Sequence, residues 1–155
     1  MKSLLRIAML WLALAALGAL PVQAANPVEI SADQFVVDES KREATFTGNV
    51  VLSREDLTVW AERVVVIYGE GGLENIQALT ATGSVRLKTS DQDATGDRAV
   101  FNPNTQILRL SGNVTVTNSA GTLNGPELVI NLAEKTSVFS STGGGRVTGV
   151  FTSAP

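Results

Sequence analysis

Thr45-Phe46-Thr47-Gly48-Asn49-Val50-Val51-Leu52 is the stretch that decides the fold, because it returns. It comes back as Thr80-Ala81-Thr82-Gly83-Ser84-Val85-Arg86-Leu87 and as Arg109-Leu110-Ser111-Gly112-Asn113-Val114-Thr115-Val116. A fainter copy carries Gly145-Arg146-Val147 in the Gly-x-Val slot, and the four glycines step by 35, 29 and 33 residues. A second phrase alternates with the first: Ala32-Asp33-Gln34-Phe35-Val36-Val37, Ala61-Glu62-Arg63-Val64-Val65-Val66, Gly96-Asp97-Arg98-Ala99-Val100-Phe101 and Gly125-Pro126-Glu127-Leu128-Val129-Ile130. In the last copy Pro126 takes the acid slot and Glu127 follows one place late. Four copies of a two-strand unit follow. One unit cannot bury its apolar face alone, whereas stacked units share a continuous core.

Period-two alternation sets the strands. Phe46, Gly48, Val50 and Leu52 fall on one face, with Thr45, Thr47 and Asn49 on the other, as in a sheet with one apolar side. Before Ala32-Asp33 the apolar positions are Val28 and Ile30; after it they are Phe35 and Val37. The same change of parity separates Leu57 and Val59 from Val64 and Val66, so a bulge or sharp bend is expected near each acid. The expected strands are 28–37, 43–52, 57–68, 73–81 with 83–87, 94–102, 106–117, 122–132, 136–140 and 146–151. They are parted by polar turns such as Asn102-Pro103-Asn104-Thr105 and Gly143-Gly144-Gly145. No 3.6-residue pattern occurs beyond the N-terminal segment, and short strands at this spacing indicate an all-β chain.

The first 24 residues stand apart. Lys2 and Arg6 precede an apolar run from Ile7 to Leu20, and Pro21-Val22-Gln23-Ala24 closes it with small residues at the places a signal peptidase reads. A cleaved signal peptide over residues 1–24 is expected, followed by one domain over 25–155. The apolar run is short against the ~20 residues of a membrane span. Of 12 basic residues the leader holds two and of 15 acidic residues none, so the remainder has ten against fifteen, a net charge of −5. Such a balance is poor for general nucleic-acid binding. The chain has no cysteine, so an exported domain must hold together by burial and strand pairing alone. It also has no histidine. No Ser-His-Asp, Cys-His or His/Cys metal cluster can be assembled, and neither a metal nor another cofactor is expected. Asp33, Glu62 and Asp97 could be imagined as glycosidase carboxylates. They recur with the fold repeat, however, which assigns them a structural role at the bends. Trp60 reads as a packing residue. Asn113-Val114-Thr115 matches a glycosylation sequon only by chance, since it lies inside a repeat strand.

Two questions stay open at the level of residues. The terminal strands present backbone edges that either recruit a partner strand or are guarded by charge. The apolar face is either an ordinary closed core or the wall of a groove between two leaves, rich in Val, Leu, Ile and Phe and suited to acyl chains.

The phrases Pro27-Val28-Glu29-Ile30-Ser31-Ala32-Asp33-Gln34, Thr45-Phe46-Thr47-Gly48-Asn49-Val50 and Leu110-Ser111-Gly112-Asn113-Val114 resemble the OstA-like superfamily of lipopolysaccharide-transport proteins, and within it the periplasmic LptA family. The similarity runs from about Pro27 to Phe151. The membrane-anchored LptC and the N-terminal domain of LptD share the superfamily fold; the expected leader and lack of an anchor favour the LptA type. The resemblance implies a slightly open, twisted β-jellyroll of antiparallel strand pairs with a V-shaped section. It implies a periplasmic bridge that binds lipopolysaccharide through its lipid A chains and does no covalent chemistry. The lipid-binding positions implied by family match are Val28, Ile30, Phe46, Val50, Leu52 and Phe101; repeat alignment extends the set to Leu110, Val114, Leu128 and Ile130. Edge pairing is implied at Val28 and Ile30, facing an LptC-like protein, and at Val147, Val150 and Phe151, facing an LptD-like outer-membrane protein. Head-to-tail self-association is implied by the same edges. The alternative is a β-stack scaffold that assembles by its edges without lipid. The chain ends at Pro155 without the charged tail some members carry, which leaves any part played by such a tail in doubt.

Overall fold

The computed structural model describes residues 28–55, 57–141 and 144–153. The expected signal peptide lies outside these residues, as does Gly143 of the expected triple-glycine turn. Ten strands make one antiparallel sheet: β1 (Glu29–Ser31), β2 (Gln34–Asp38), β3 (Glu43–Arg54), β4 (Leu57–Tyr68), β5 (Ile76–Lys88), β6 (Gln92–Asn102), β7 (Ile107–Asn118), β8 (Gly121–Asn131), β9 (Thr136–Ser140) and β10 (Thr148–Phe151). From β3 to β8, neighbours in sequence are neighbours in space. The path runs β1-β3-β4-β5-β6-β7-β8-β10, with β2 also on β3 and β9 also on β8. Each edge position is therefore filled by two short strands, and the six strands between them are long. The all-β expectation holds, and the four two-strand units appear in order.

The bends sit where the glycine and acid phrases meet. Gly48 and Asn49 both have positive φ (83° and 45°). Register is lost there: Thr47 faces Arg63 and Val50 faces Ala61, so two residues of β3 oppose the single Glu62 of β4. Gly83 and Ser84 (φ 82° and 46°) and Gly112 and Asn113 (φ 78° and 50°) repeat the geometry. This two-against-one pairing is a β-bulge, which bends the strand and increases its twist. It also accounts for the parity change: the face of β4 passes from Val59 and Ala61 to Val64 and Val66 across Glu62, while β3 keeps even numbers throughout.

The expected boundaries are corrected in five places. The stretch 28–37 is two strands, broken at Ala32-Asp33. The stretch 43–52 is not a straight alternating ladder, because its Gly-Asn pair leaves the β region. Residues 72–74 form a turn of 3₁₀ helix rather than strand, since Gly71 and Gly72 take positive φ; β5 then runs unbroken through Thr82. Residues 92 and 93, expected in a turn, already pair with Asn118 and Thr117 of β7. The last strand begins at Thr148, leaving Arg146 and Val147 outside it.

The bulges fold every long strand over its own middle, so the sheet has two leaves. One leaf holds β1, the later halves of β3, β5 and β7, the earlier halves of β4, β6 and β8, and β10. The other leaf holds β2, β9 and the complementary halves. Between them lies a core of Val, Leu and Ala with Tyr68, and no polar or charged residue is classed as buried among the described residues. Among its most enclosed members, Val50, Val64, Val85, Leu110 and Val114 stand two residues from a bend, and Ala44 and Val66 stand four. The strand tips end in turns held by side chains. At one of them the Ser40 hydroxyl donates to Asp38 at 2.6 Å and the Lys41 amide at 3.3 Å. The hydroxyl first, then Lys41, holds the Asp38 carboxyl below its ordinary value.

Candidate functional site: a groove between two leaves

Depth along the strand only partly separates core from groove. Side chains two residues from a bulge close the bottom of the V. Of those four or more residues away, some, such as Ala44 and Val66, are still enclosed, and others, such as Leu52, Phe101 and Ile130, are only partly buried and face the space between the leaves. Two cavities occupy that space. One, of about 460 Å³, takes Ile30, Leu52, Leu57 and Val59 from one leaf and Leu79 and Phe101 from the other. The second, of about 510 Å³, takes Leu57, Leu87 and Val116 from one leaf and Leu108, Leu128 and Ile130 from the other. Both lie in the size range of small-molecule and lipid sites; the first is mostly aliphatic, and the second adds polar and charged residues such as Thr89, Asp91, Gln92 and Lys135 to its aliphatic wall.

Of the ten positions expected to meet lipid, six line a cavity. Val28, Ile30, Leu52 and Phe101 line the first; Leu128 and Ile130 line the second. Four lie elsewhere. Val50, Leu110 and Val114 are enclosed in the core, Leu110 with no exposed surface at all. Phe46 stacks on Phe35 with ring centroids 4.6 Å apart, beside the β2 edge. Sequence reasoning missed Leu57, Leu79, Leu108 and Leu132, and two polar wall residues, Arg54 and Gln106. The signal was present for Arg54: it continues the even-numbered inward series Val50, Leu52 past the last bend.

The recurring acids serve the bends. The Asp33 amide donates to Gly48 O at 2.9 Å. Asn49 Nδ2 donates to Asp33 Oδ2 at 2.9 Å, and Asn113 Nδ2 to Asp97 Oδ2 at 3.0 Å. Each acid lies directly over the glycine of the following strand. A Cβ on Gly48 would fall 2.6 Å from Asp33 Oδ2, and one on Gly83 would fall 2.6 Å from Glu62 Cβ. In the fourth copy Pro126 lies 3.8 Å from the corresponding position on Gly145, so the ring replaces the acid. The Asn of the apparent sequon is thus a bulge residue. Trp60 sits on the outer surface under the Arg86 guanidinium, 5.3 Å from its ring centre, and Asp93 accepts from Arg86 at 2.8 Å. No group of three or more acids that could hold a metal occurs among the described residues.

Among the described residues the edges are open on their outer sides: β1 pairs only with β3, and β10 only with β8. Ile30 is half-buried in β1, and Val28 is exposed just before it. Val150 and Phe151 are 72% and 65% exposed. Val147 precedes β10 and packs near Gly125. No described helix is long and apolar enough to cross a membrane.

A bent single antiparallel sheet with a groove between its two leaves defines the open β-jellyroll class. A family model described as "LptA/(LptD N-terminal domain) LPS transport protein" matches residues 29–136, more than two thirds of the chain. The chain belongs to this family of lipopolysaccharide-transport proteins, whose members move lipid and are not enzymes. Among solved structures it is similar to LptH of Pseudomonas aeruginosa, described as the LptA-homologous periplasmic component of the lipopolysaccharide transport device. The TM-score is 0.68 at 16% identity, covering 84% of this chain and 96% of that one. Among curated proteins it is 28% identical over 97 residues to uncharacterized protein R00383 of Rhizobium meliloti (strain 1021). That alignment covers 59% of this chain and 52% of the relative, so the chain spans about half the length of the curated relative it matches.

Proposed function

We propose that this protein carries lipopolysaccharide through the periplasm by sheltering lipid A acyl chains in the groove between its leaves. The observation that carries the reading is the pair of adjoining cavities, each with aliphatic side chains from both leaves, in a chain of a lipopolysaccharide-transport family. An acyl chain moved from water into such a trough gains about 0.8 kcal/mol per buried methylene. The groove walls at Val28, Ile30, Leu52, Phe101, Leu128 and Ile130 make the contact. Phe46, Val50, Leu110 and Val114 hold the leaves together beneath it.

Residues 1–24 direct export and are removed, leaving a domain over 25–155. The open outer sides of β1 and β10 support strand addition at both ends. An LptC-like protein meets the β1 edge, an LptD-like protein meets the β10 edge, and copies of this chain join head to tail through the same edges. Transfer is then passage from groove to groove, driven from outside this chain.

Mass spectrometry of the protein isolated from the periplasm of its own cells tests the reading. A co-purifying lipid A mass, released by denaturation, is expected, together with an N-terminus at Ala25. Protein that is lipid-free from every preparation, yet assembles end to end, leaves only the scaffold reading.

A further inference from the structure

The mouth of the first cavity carries a leucine on a loosely held segment. Residues 69–75 join β4 to β5, a longer connection than any other between the consecutive long strands β3 to β8. Their sequence, Gly-Glu-Gly-Gly-Leu-Glu-Asn, is polar and glycine-rich apart from Leu73. A lone exposed leucine needs no explanation by itself. This one lines the first cavity together with Ile30, Leu52 and Leu57 of the other leaf, yet it is 47% exposed. Nearly half of its surface is thus left for a ligand.

The segment is tight at its base and loose at its tip. The Gly69 amide donates to Asn75 O at 2.8 Å, and a Cβ on Gly69 would fall 2.7 Å from Asn75 Nδ2. Beyond that clasp, Gly71 and Gly72 take positive φ (100° and 80°), and a Cβ on either would meet nothing within 4 Å. The 3₁₀ turn Gly72–Glu74 contains no buried residue. The described backbone bonds of the tip stay within the segment, and an exposed ion pair of Glu70 with Arg42 at 3.3 Å ties it to the neighbouring turn. A surface pair of this kind holds little. Few buried contacts and solvent-exposed hydrogen bonds mark a segment that opens locally, and paired glycines give it backbone freedom. Rotation about Gly71-Gly72 swings Leu73 without disturbing the β4–β5 ladder.

We propose that residues 69–75 are a flap, and that Leu73 closes on an acyl chain lying in the first cavity. This rests on the carrier reading. A chain in an open trough keeps one side in water, and a leucine laid over it removes apolar surface of both from water. The corresponding connection at the second cavity, with Thr89, Ser90 and Asp91 in the wall, is polar. The flap therefore sets how long a chain stays at the β1 end of the groove.

The test uses the full exported protein loaded with lipid A that bears a fluorophore on its sugar, released into excess unlabelled lipid A. Leu73→Gln releases the probe about tenfold faster than wild type, the order expected when a leucine loses its contact with a chain. Leu73→Met, which keeps size and apolarity, releases it at close to the wild-type rate. Leu73 is exposed, so neither replacement shifts the melting temperature appreciably. A second measurement reads the closure itself. Leu73→Trp in a Trp60→Phe background puts the single tryptophan outside residues 1–24 on the flap. Its emission shifts to the blue and is shielded from acrylamide when unlabelled lipid A binds, whereas Trp60 of the wild type, on the outer face, does not respond. An unchanged release rate in Leu73→Gln overturns the flap. So does equal acceleration by Leu73→Met, which assigns the effect to loop shape, or an emission unmoved by bound lipid A. If wild-type protein binds no lipid A, the carrier reading falls and the flap with it; binding to which Leu73 is indifferent removes the flap alone.

Discussion

Asn113 reaches across sixteen residues of sequence to donate from Nδ2 to Oδ2 of Asp97 at 3.0 Å, fastening the bulge of one strand to the bend of the strand before it. Asn49 and Asp33 make the same contact at 2.9 Å two units earlier. Both pairs are exposed, so each contributes modestly. Asp97→Ala is expected to cost about 0.5–1 kcal/mol in urea unfolding. A double-mutant cycle should give a coupling of similar size for Asp97 with Asn113 and none for Asp97 with Asn49. Independence of Asp97 and Asn113 would remove the clasp.

The glycine under each acid is more demanding. Gly112 has φ 78°, and a Cβ there would fall 2.8 Å from Asp97 Cβ. An alanine must accept both a left-handed backbone and that overlap, so Gly112→Ala is expected to lose about 2–4 kcal/mol. Gly144 also has positive φ (95°) but meets nothing within 4 Å. Gly144→Ala should cost only the backbone strain, about 1–2 kcal/mol. Thermal denaturation of the two variants ranks them; equal losses would mean that the acid does not press on the glycine.

Core and groove residues should separate in two readouts. Leu110 is fully enclosed next to a bend, and Leu110→Ala should lower stability by about 3–5 kcal/mol. Phe101 stands farther out on a cavity wall and is only partly buried. Phe101→Ala should therefore cost less stability than Leu110→Ala while weakening lipid capture more. Paired denaturation and lipid-binding measurements check the contrast. The reverse order would place the groove at the bottom of the V.

How much of this could be read from residues depends on what the repeat encodes. The Gly-x-Val phrase set the order of the long strands, because a positive-φ glycine at a regular interval marks a recurring bend. The parity change between Val59 and Val64 revealed that a residue was out of step. It did not reveal that the extra residue belongs to Gly48-Asn49 of the partner strand, since a bulge is a property of two strands together. Leu110 and Ile130 have the same chemistry and the same inward phase. One is core and the other is wall because of where the two leaves meet, which exists only once the sheet has folded over. Arg54 was passed over for a related reason: a charge at a strand end ordinarily points to solvent, and its inward direction becomes plain only by counting on from Val50.

Edge chemistry gives a further expectation. Val150 is 72% exposed on β10, whose outer side has no partner strand among the described residues. A lysine on an edge strand discourages pairing with another chain. Val150→Lys should reduce end-to-end association in sedimentation velocity while changing stability by less than about 0.5 kcal/mol. Unchanged association would place self-pairing on another surface.

The most direct test places a photo-crosslinking amino acid at Ile30, at Phe101 and at Thr47, one at a time, in cells making lipopolysaccharide. Ile30 and Phe101 line the groove, and Thr47 is exposed on the outer face of β3. Lipopolysaccharide adducts at Ile30 and Phe101 with none at Thr47 are the predicted result. Adducts at Thr47 alone, or at none of the three in a folded protein, would contradict a lipid held between the leaves.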